Sequence, residues 1–158
     1  MVMTGVLGAV ALVALGPTKA NRVVIAAKNL RRDLTFARQR AVATGVNSWV
    51  LFDATENTWT IQAENTAAPG KAGAITIFDS ATAAGFVTDL DDAIYAGTDL
   101  LAVTIDAGND IGFDWLGRPL NAAETALAAD AVIPISYDGQ NWEIRVRVDT
   151  GHIYYVPP

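Results

Sequence analysis

The sequence predicts an α+β protein: a long N-terminal helix, apolar at first and then amphipathic, packed on an antiparallel β-sandwich. Three observations carry this. Apolar side chains recur at helical spacing up to Thr44, and the chain after Asn47 switches to short alternating runs with turn residues between them. The charge divides at the same place. Through Asn47 seven basic residues face one acid, Asp33, a balance of +6; from Ser48 onward four basic residues face sixteen acids, a balance of −12. Such a split implies two parts with different surroundings.

Composition narrows the function classes. The 158 residues are 51% apolar and only 18% charged, too apolar for a disordered chain. Without cysteine there are no disulfides, thiolate metal sites or thiol nucleophiles, and a single histidine, His152, leaves no multi-histidine zinc site. The net charge of −6 argues against nucleic-acid binding through the whole surface.

The first element is the stretch 1–17, MVMTGVLGAVALVALGP, with no charge before Lys19. Eighteen uncharged residues span about 27 Å as a helix, close to the roughly 30 Å hydrocarbon core. A buried core helix and a secretory signal are the competing readings, but a signal carries basic residues ahead of its apolar stretch and none occur here. A membrane segment is the expectation. Residues 18–45 form the second element. Val23, Ala27, Leu30, Leu34, Ala37 and Ala41 recur at alternating spacings of four and three, the stripe of a helix laid on a sheet. No glycine or proline interrupts 18–44, and Gly45 is a natural stop. With Pro17 only bending it, one helix would cover 1–44. The basic residues lie largely off the stripe, which makes Arg31, Arg32, Arg38 and Arg40 candidates for subunit contacts. A solvated polar face is the simpler reading of any one of them.

Residues 46–158 form the β-rich head, with about nine short strands expected. Runs 48–53 (SWVLFD) and 58–63 (TWTIQA) read as a hairpin, and 74–78 and 85–88 as shorter strands. Runs 101–105 (LAVTI) and 111–115 (IGFDW) flank a turn. The end of the chain is clearest, with 132–137, 142–148 and 152–156 separated by Asp-Gly and Thr-Gly turns.

A greasy N-terminal helix, the continuation LTFARQRAVATG, then the WVLFD and TWTI hairpin resemble a type IV pilin-like subunit, in particular the GspH/FimT family of type II secretion pseudopilins and minor pilins. IGFDWLGRP (111–119) is similar to that family's strand followed by a Gly-Arg turn, and VRVDTGHIYYV (146–156) to its last strand pair. The resemblance implies a pilin-like fold and a structural role in filament assembly and protein secretion. It also implies a bacterial inner-membrane location, single-pass, with the head in the periplasm and in the filament. Other pilin or pseudopilin subunits and the inner-membrane assembly machinery would be the partners. The stretch GVLGAVALVAL resembles the second half of the family's apolar segment, so the expectation is that this sequence lacks the family's basic leader and roughly nine of its first mature residues, through a late start or a fragmentary gene. A prepilin peptidase is a partner only where that leader exists. Charge alone would put the basic flank in the cytoplasm; the missing leader would normally supply competing positive charge, and the resemblance assigns the outer face.

Neither an enzyme nor a cofactor is expected. There is no Gly-x-Ser-x-Gly elbow and no phosphate-cradling glycine loop. His152 sits in an alternating terminal strand. The acids Asp89, Asp91, Asp92 and Asp99 lack EF-hand spacing and read as a solvated loop. Trp49, Trp59, Trp115 and Trp142 fall in predicted strands, where packing is the default. Arg145 and Arg147 share a strand face, but two arginines in a head of balance −12 make nucleic acid a poor partner. The alternative function is a pilus-tip binding module for adhesion or DNA uptake, which would need a basic groove or paired exposed tryptophans.

Overall fold

A computed structural model of the chain describes residues 19–79 and 83–158. The predicted membrane segment 1–17 and the bend at Pro17 lie outside the described residues. Among the described residues no helix is long and apolar enough to cross a membrane.

Helix α1 (Lys19–Thr44) is 26 residues, about 39 Å long. Val23, Ala26, Ala27, Leu30, Leu34, Ala37 and Ala41 along it are no more than 1% exposed. Four of the seven are alanines, which let the backbone approach its neighbours closely. The helix ends where Gly45 takes φ 72° and its N–H reaches the Ala41 carbonyl, a left-handed cap open to glycine at little cost.

The strands follow as β1 (Ser48–Asp53), β2 (Thr58–Ala63), β3 (Ile75–Thr76), β4 (Phe78–Asp79), β5 (Ala84–Gly85), β6 (Val87–Asp89), β7 (Thr98–Leu100), β8 (Asp110–Phe113), β9 (Pro119–Leu120), β10 (Ala131–Tyr137), β11 (Gln140–Val146) and β12 (Ile153–Val156). One sheet runs β3-β2-β1-β8-β9, with β6 also paired on β2; the second runs β12-β11-β10-β7; β4 and β5 form a separate ribbon. Every pairing is antiparallel. The helix stripe packs on strands of both sheets, including β1, β2 and β8 of the first and β10, β11 and β12 of the second. Period-two burial supplies the facing residues: Trp59, Ile61 and Ala63 from β2, Ala131, Ile133 and Ile135 from β10, Ile144 and Val146 from β11. Helix and sheets thus share one core.

Four of the expected strands depart from the sequence reading. The expected strands 74–78 and 85–88 are each broken, into β3 and β4 and into β5 and β6. Ile61 explains the break: its carbonyl accepts from Ile77 N and its N–H donates to Phe86 O, while Phe86 N bonds Ile77 O. Ile77 and Phe86 therefore stay on the sheet while the β4–β5 ribbon leaves it. The expected strand 101–105 is not a strand; the pairing segment is β7, earlier in the chain. Leu101 N makes the last bond, to Pro134 O, and the proline offers no N–H in return on that side, so the ladder stops. At the end of the chain, β11 begins at Gln140 rather than Trp142 and closes at Val146.

Candidate functional site

Helix α1 carries the candidate contact arginines, and its faces divide three ways. The stripe faces the core. One flank ties the helix to its own head through polar contacts. The remaining, outward face is open.

The flank contacts begin at Arg22, whose Nη1 donates to Ala96 O at 3.1 Å, and Asn29, whose Nδ2 donates to the Tyr95 hydroxyl at 2.6 Å. Together they hold the segment that joins β6 to β7 against the first turns of the helix. Asn57 fixes the other side of that segment. Its Nδ2 donates to Asp91 Oδ1 (2.8 Å) and Thr98 O (3.1 Å), and its Oδ1 accepts from Leu100 N (2.7 Å). Asn57 sits in the β1–β2 turn with φ 54°, a conformation asparagine tolerates better than most residues.

Arg38 is the clasp further along. Its Nε donates to Gly117 O at 2.9 Å and its Nη2 to Thr150 O at 3.0 Å. One guanidinium thus joins the Gly-Arg turn after β8 to the turn between β11 and β12. Both turns need glycine there. Gly117 (φ 77°) and Gly151 (φ 62°) are left-handed, and a Cβ on Gly151 would stand 2.6 Å from Gly117 O and 3.0 Å from Arg38 Nε. The first turn is also built by Asp114, whose Oδ1 accepts from Leu116 N (3.0 Å) and Arg118 N (2.8 Å), and whose Oδ2 pairs with Arg118 at 2.7 Å. Burial pushes the Asp114 carboxyl up, but the hydrogen bonds from Arg118 and Leu116 outweigh it and hold it below its usual 3.8.

The candidate contact arginines therefore separate. Arg38 is committed to carbonyls of its own head, and Arg40 is half-buried. Arg31 and Arg32 are exposed. Arg32 bonds Asp33 Oδ1 at 3.0 Å yet its side chain remains 65% exposed. Lys28, Arg31, Arg32, Thr35, Phe36, Gln39 and Tyr155 line an open groove of about 600 Å³ on the outward face. Phe36 forms part of its wall, stacked on Phe86 with centroids 5.4 Å apart. Lys28 and Arg31 have no ion pair among the described residues.

The other residues considered from sequence fall into packing or solvent. Trp49 and Trp59 are fully buried, Trp142 packs half-buried on the core, and Trp115 is exposed by itself. Asp89, Asp91, Asp92 and Asp99 are exposed, with Asp89 capping its own turn through Asp91 N. Arg145 is tied to Glu143 at 2.6 Å, and that hydrogen bond and charge raise its pKa. His152 is exposed and stacked on Tyr154. Among the described residues no three His, Cys, Asp or Glu side chains are placed to hold a metal.

Asp33, Asn57 and Arg38 carry contacts that sequence reasoning did not assign. An acid alone in a helix otherwise basic was the available signal for the first. No signal existed for Arg38, whose acceptors lie 79 and 112 residues further on.

A helix laid on two antiparallel sheets, closed by a Gly-Arg turn and a terminal strand pair, defines a pseudopilin- or minor-pilin-like fold. Solved structures with this fold include the minor pseudopilin EpsH from the type 2 secretion system of Vibrio cholerae and the type IV minor pilin FimU of Pseudomonas aeruginosa. One EpsH structure superposes with TM-score 0.62 at 14% identity, covering 87% of this chain and 98% of that one. A second EpsH structure gives 0.62 at 13% identity, covering 87% and 95%. FimU gives 0.58 at 19% identity, covering 89% and 92%. No family model matches the sequence, and no curated protein matches it.

Proposed function

We propose that the chain is a structural minor pseudopilin or minor pilin, a subunit of a type II secretion pseudopilus or type IV pilus that acts in filament assembly and protein secretion. The carrying observation is the superposition on EpsH over nearly the whole of that chain, with one helix serving both sheets. On this reading the chain is not an enzyme. The apolar stretch 1–17 anchors it once in the bacterial inner membrane, with the head in the periplasm and later in the filament. Its partners are other pilin-type subunits and the inner-membrane assembly machinery, and a prepilin peptidase where a leader is encoded. Nucleic acid is not a partner, because Arg145 is paired and the head is strongly acidic.

The test is genetic and biochemical together. Deleting the gene should abolish secretion or piliation, and the full chain should restore it. The same chain should fractionate with membranes and need detergent for extraction. Recovery as a dispersed monomer without detergent, with secretion and piliation intact in the deletion, refutes the reading.

A further inference from the structure

We infer that the free edge of β12, with the basic groove beside it, takes up one extended acidic segment of a different pilin-type subunit as an added strand; the inference rests on the filament-subunit reading. The second sheet ends at β12, which pairs only with β11. Arg147 N donates to His152 O at 3.0 Å, and hydrogen-bonded rungs alternate along an antiparallel ladder. Tyr154 and Val156 therefore turn their backbone polar groups toward β11, and Ile153 and Tyr155 turn theirs away from it. Those outward N–H and C=O groups have no hydrogen-bond partner among the described residues. They are the template that an incoming strand uses. This edge also borders the groove, where Tyr155 stands beside Lys28, Arg31, Thr35 and Phe36 of α1.

Charge sets what covers the edge. Lys28 and Arg31 are exposed and have no ion pair among the described residues, so carboxylates on the added strand would complete them. Every second side chain of that strand faces the helix, and the rings of Phe36 and Tyr155 take an apolar one. The fitting segment thus carries an acid and an apolar residue two positions apart. It is short, because Pro157 at the next outward position has no N–H to offer. One edge accepts one strand, so the contact is made once per chain and does not propagate. A second copy of this chain is a poor occupant: pairing β12 with β12 about a two-fold axis would bring two basic flanks together on one face. Anionic lipid neutralises the cations but supplies no strand to the edge.

The test isolates a tagged full-length chain from its own envelope in mild detergent, with its partners quantified by mass spectrometry. Tyr155→Ala and Tyr155→Pro both remove the ring, but only the proline removes the outward N–H, and it spares the rungs to β11. The proline chain should retain about fivefold less partner than the alanine chain, the scale of one lost hydrogen bond. Arg31→Glu, which touches no strand pairing, should lower retention about tenfold, and it decides the matter where the proline lowers the melting temperature. In the parent complex, amide hydrogen exchange at Ile153 and Tyr155 should be slower than in the chain by itself, with matching protection on one acidic segment of the other subunit. Unchanged retention by Arg31→Glu, or equal retention by proline and alanine chains of the same thermal stability, overturns the docking edge and leaves the filament reading standing. A parent chain that retains no pilin-type subunit overturns the filament reading and the edge contact with it. Retention of a second copy at this edge, or the same protection from phosphatidylglycerol vesicles with no protein partner, overturns the proposed occupant.

Discussion

The indole N–H of Trp59 donates to Asp33 Oδ2 at 3.0 Å, with both side chains fully buried between α1 and β2. Thr88 Oγ1 reaches the same oxygen at 3.3 Å from β6, and Arg32 holds the other oxygen from the solvent side. The only acid of the helix is thus satisfied from two strands of the first sheet. A buried charge lacking such partners would be costly, so the contact fixes how the helix is rotated about its axis. Replacing Trp59 by Phe should cost about 1–3 kcal/mol, and Asp33→Ala should cost more because it strands the buried indole N–H and also frees Thr88 and Arg32 of their acceptor. Urea unfolding followed by circular dichroism reads both values. An Asp33→Ala chain as stable as the parent would contradict this role.

The Arg38 clasp makes a comparison among glycines informative. Gly139 (φ 75°) and Gly151 (φ 62°) share a left-handed backbone, but a Cβ meets nothing within 4 Å at Gly139 and meets Gly117 O at 2.6 Å at Gly151. Alanine at 139 should therefore cost only about 1 kcal/mol, the conformational penalty by itself. Alanine at 151 should cost clearly more and loosen the Thr150 contact with Arg38. Equal losses in thermal unfolding would mean the close approach is unimportant.

Gly112 in β8 lies under Trp49 of the neighbouring β1, and a Cβ there would stand 2.6 Å from indole Cδ1 and Nε1. Backbone and a buried ring cannot both give way cheaply. Gly112→Ala should destabilise by about 1–3 kcal/mol. Adding Trp49→Leu should recover part of that loss, whereas additive losses would refute direct crowding.

Asp114 gives the stability an acid limb. Its carboxyl titrates below 3.8 in the folded chain, so the unfolded chain takes up the proton first as pH falls. The contribution is fully present above the unfolded value and is lost as pH drops through the lower folded value, in the region below pH 4. Asp114→Asn should be less stable than the parent at pH 7, with the gap narrowing below pH 4. A gap constant from pH 7 to pH 3 would show that Arg118 and the turn amides do not act through the charge.

The legible parts of this fold were the local ones. Leu30, Leu34 and their neighbours announce a buried stripe because helical spacing is a property of adjacent turns. The β1–β2 and β10–β11 hairpins announce themselves through alternation and turn residues. Where the outcome was set at long range, the sequence was silent. Residues 101–105 look like a strand, yet Pro134, more than thirty positions away, ends their ladder. Ile61 decides where β3 and β6 break. The basic face was legible as a charge imbalance, but its division into a clasp at Arg38 and an open groove at Lys28 and Arg31 depended on carbonyls and rings from distant strands.

The central claim is that this chain is a filament subunit whose outward helix face meets other pilin-type subunits. The most direct measurement is photocross-linking in living cells from a benzophenone amino acid placed at Gln39, exposed at the groove. Mass spectrometry of the adducts should find other pilin-type subunits, and the adducts should disappear when the filament machinery is deleted. Adducts confined to unrelated proteins, or unchanged by that deletion, would contradict the account.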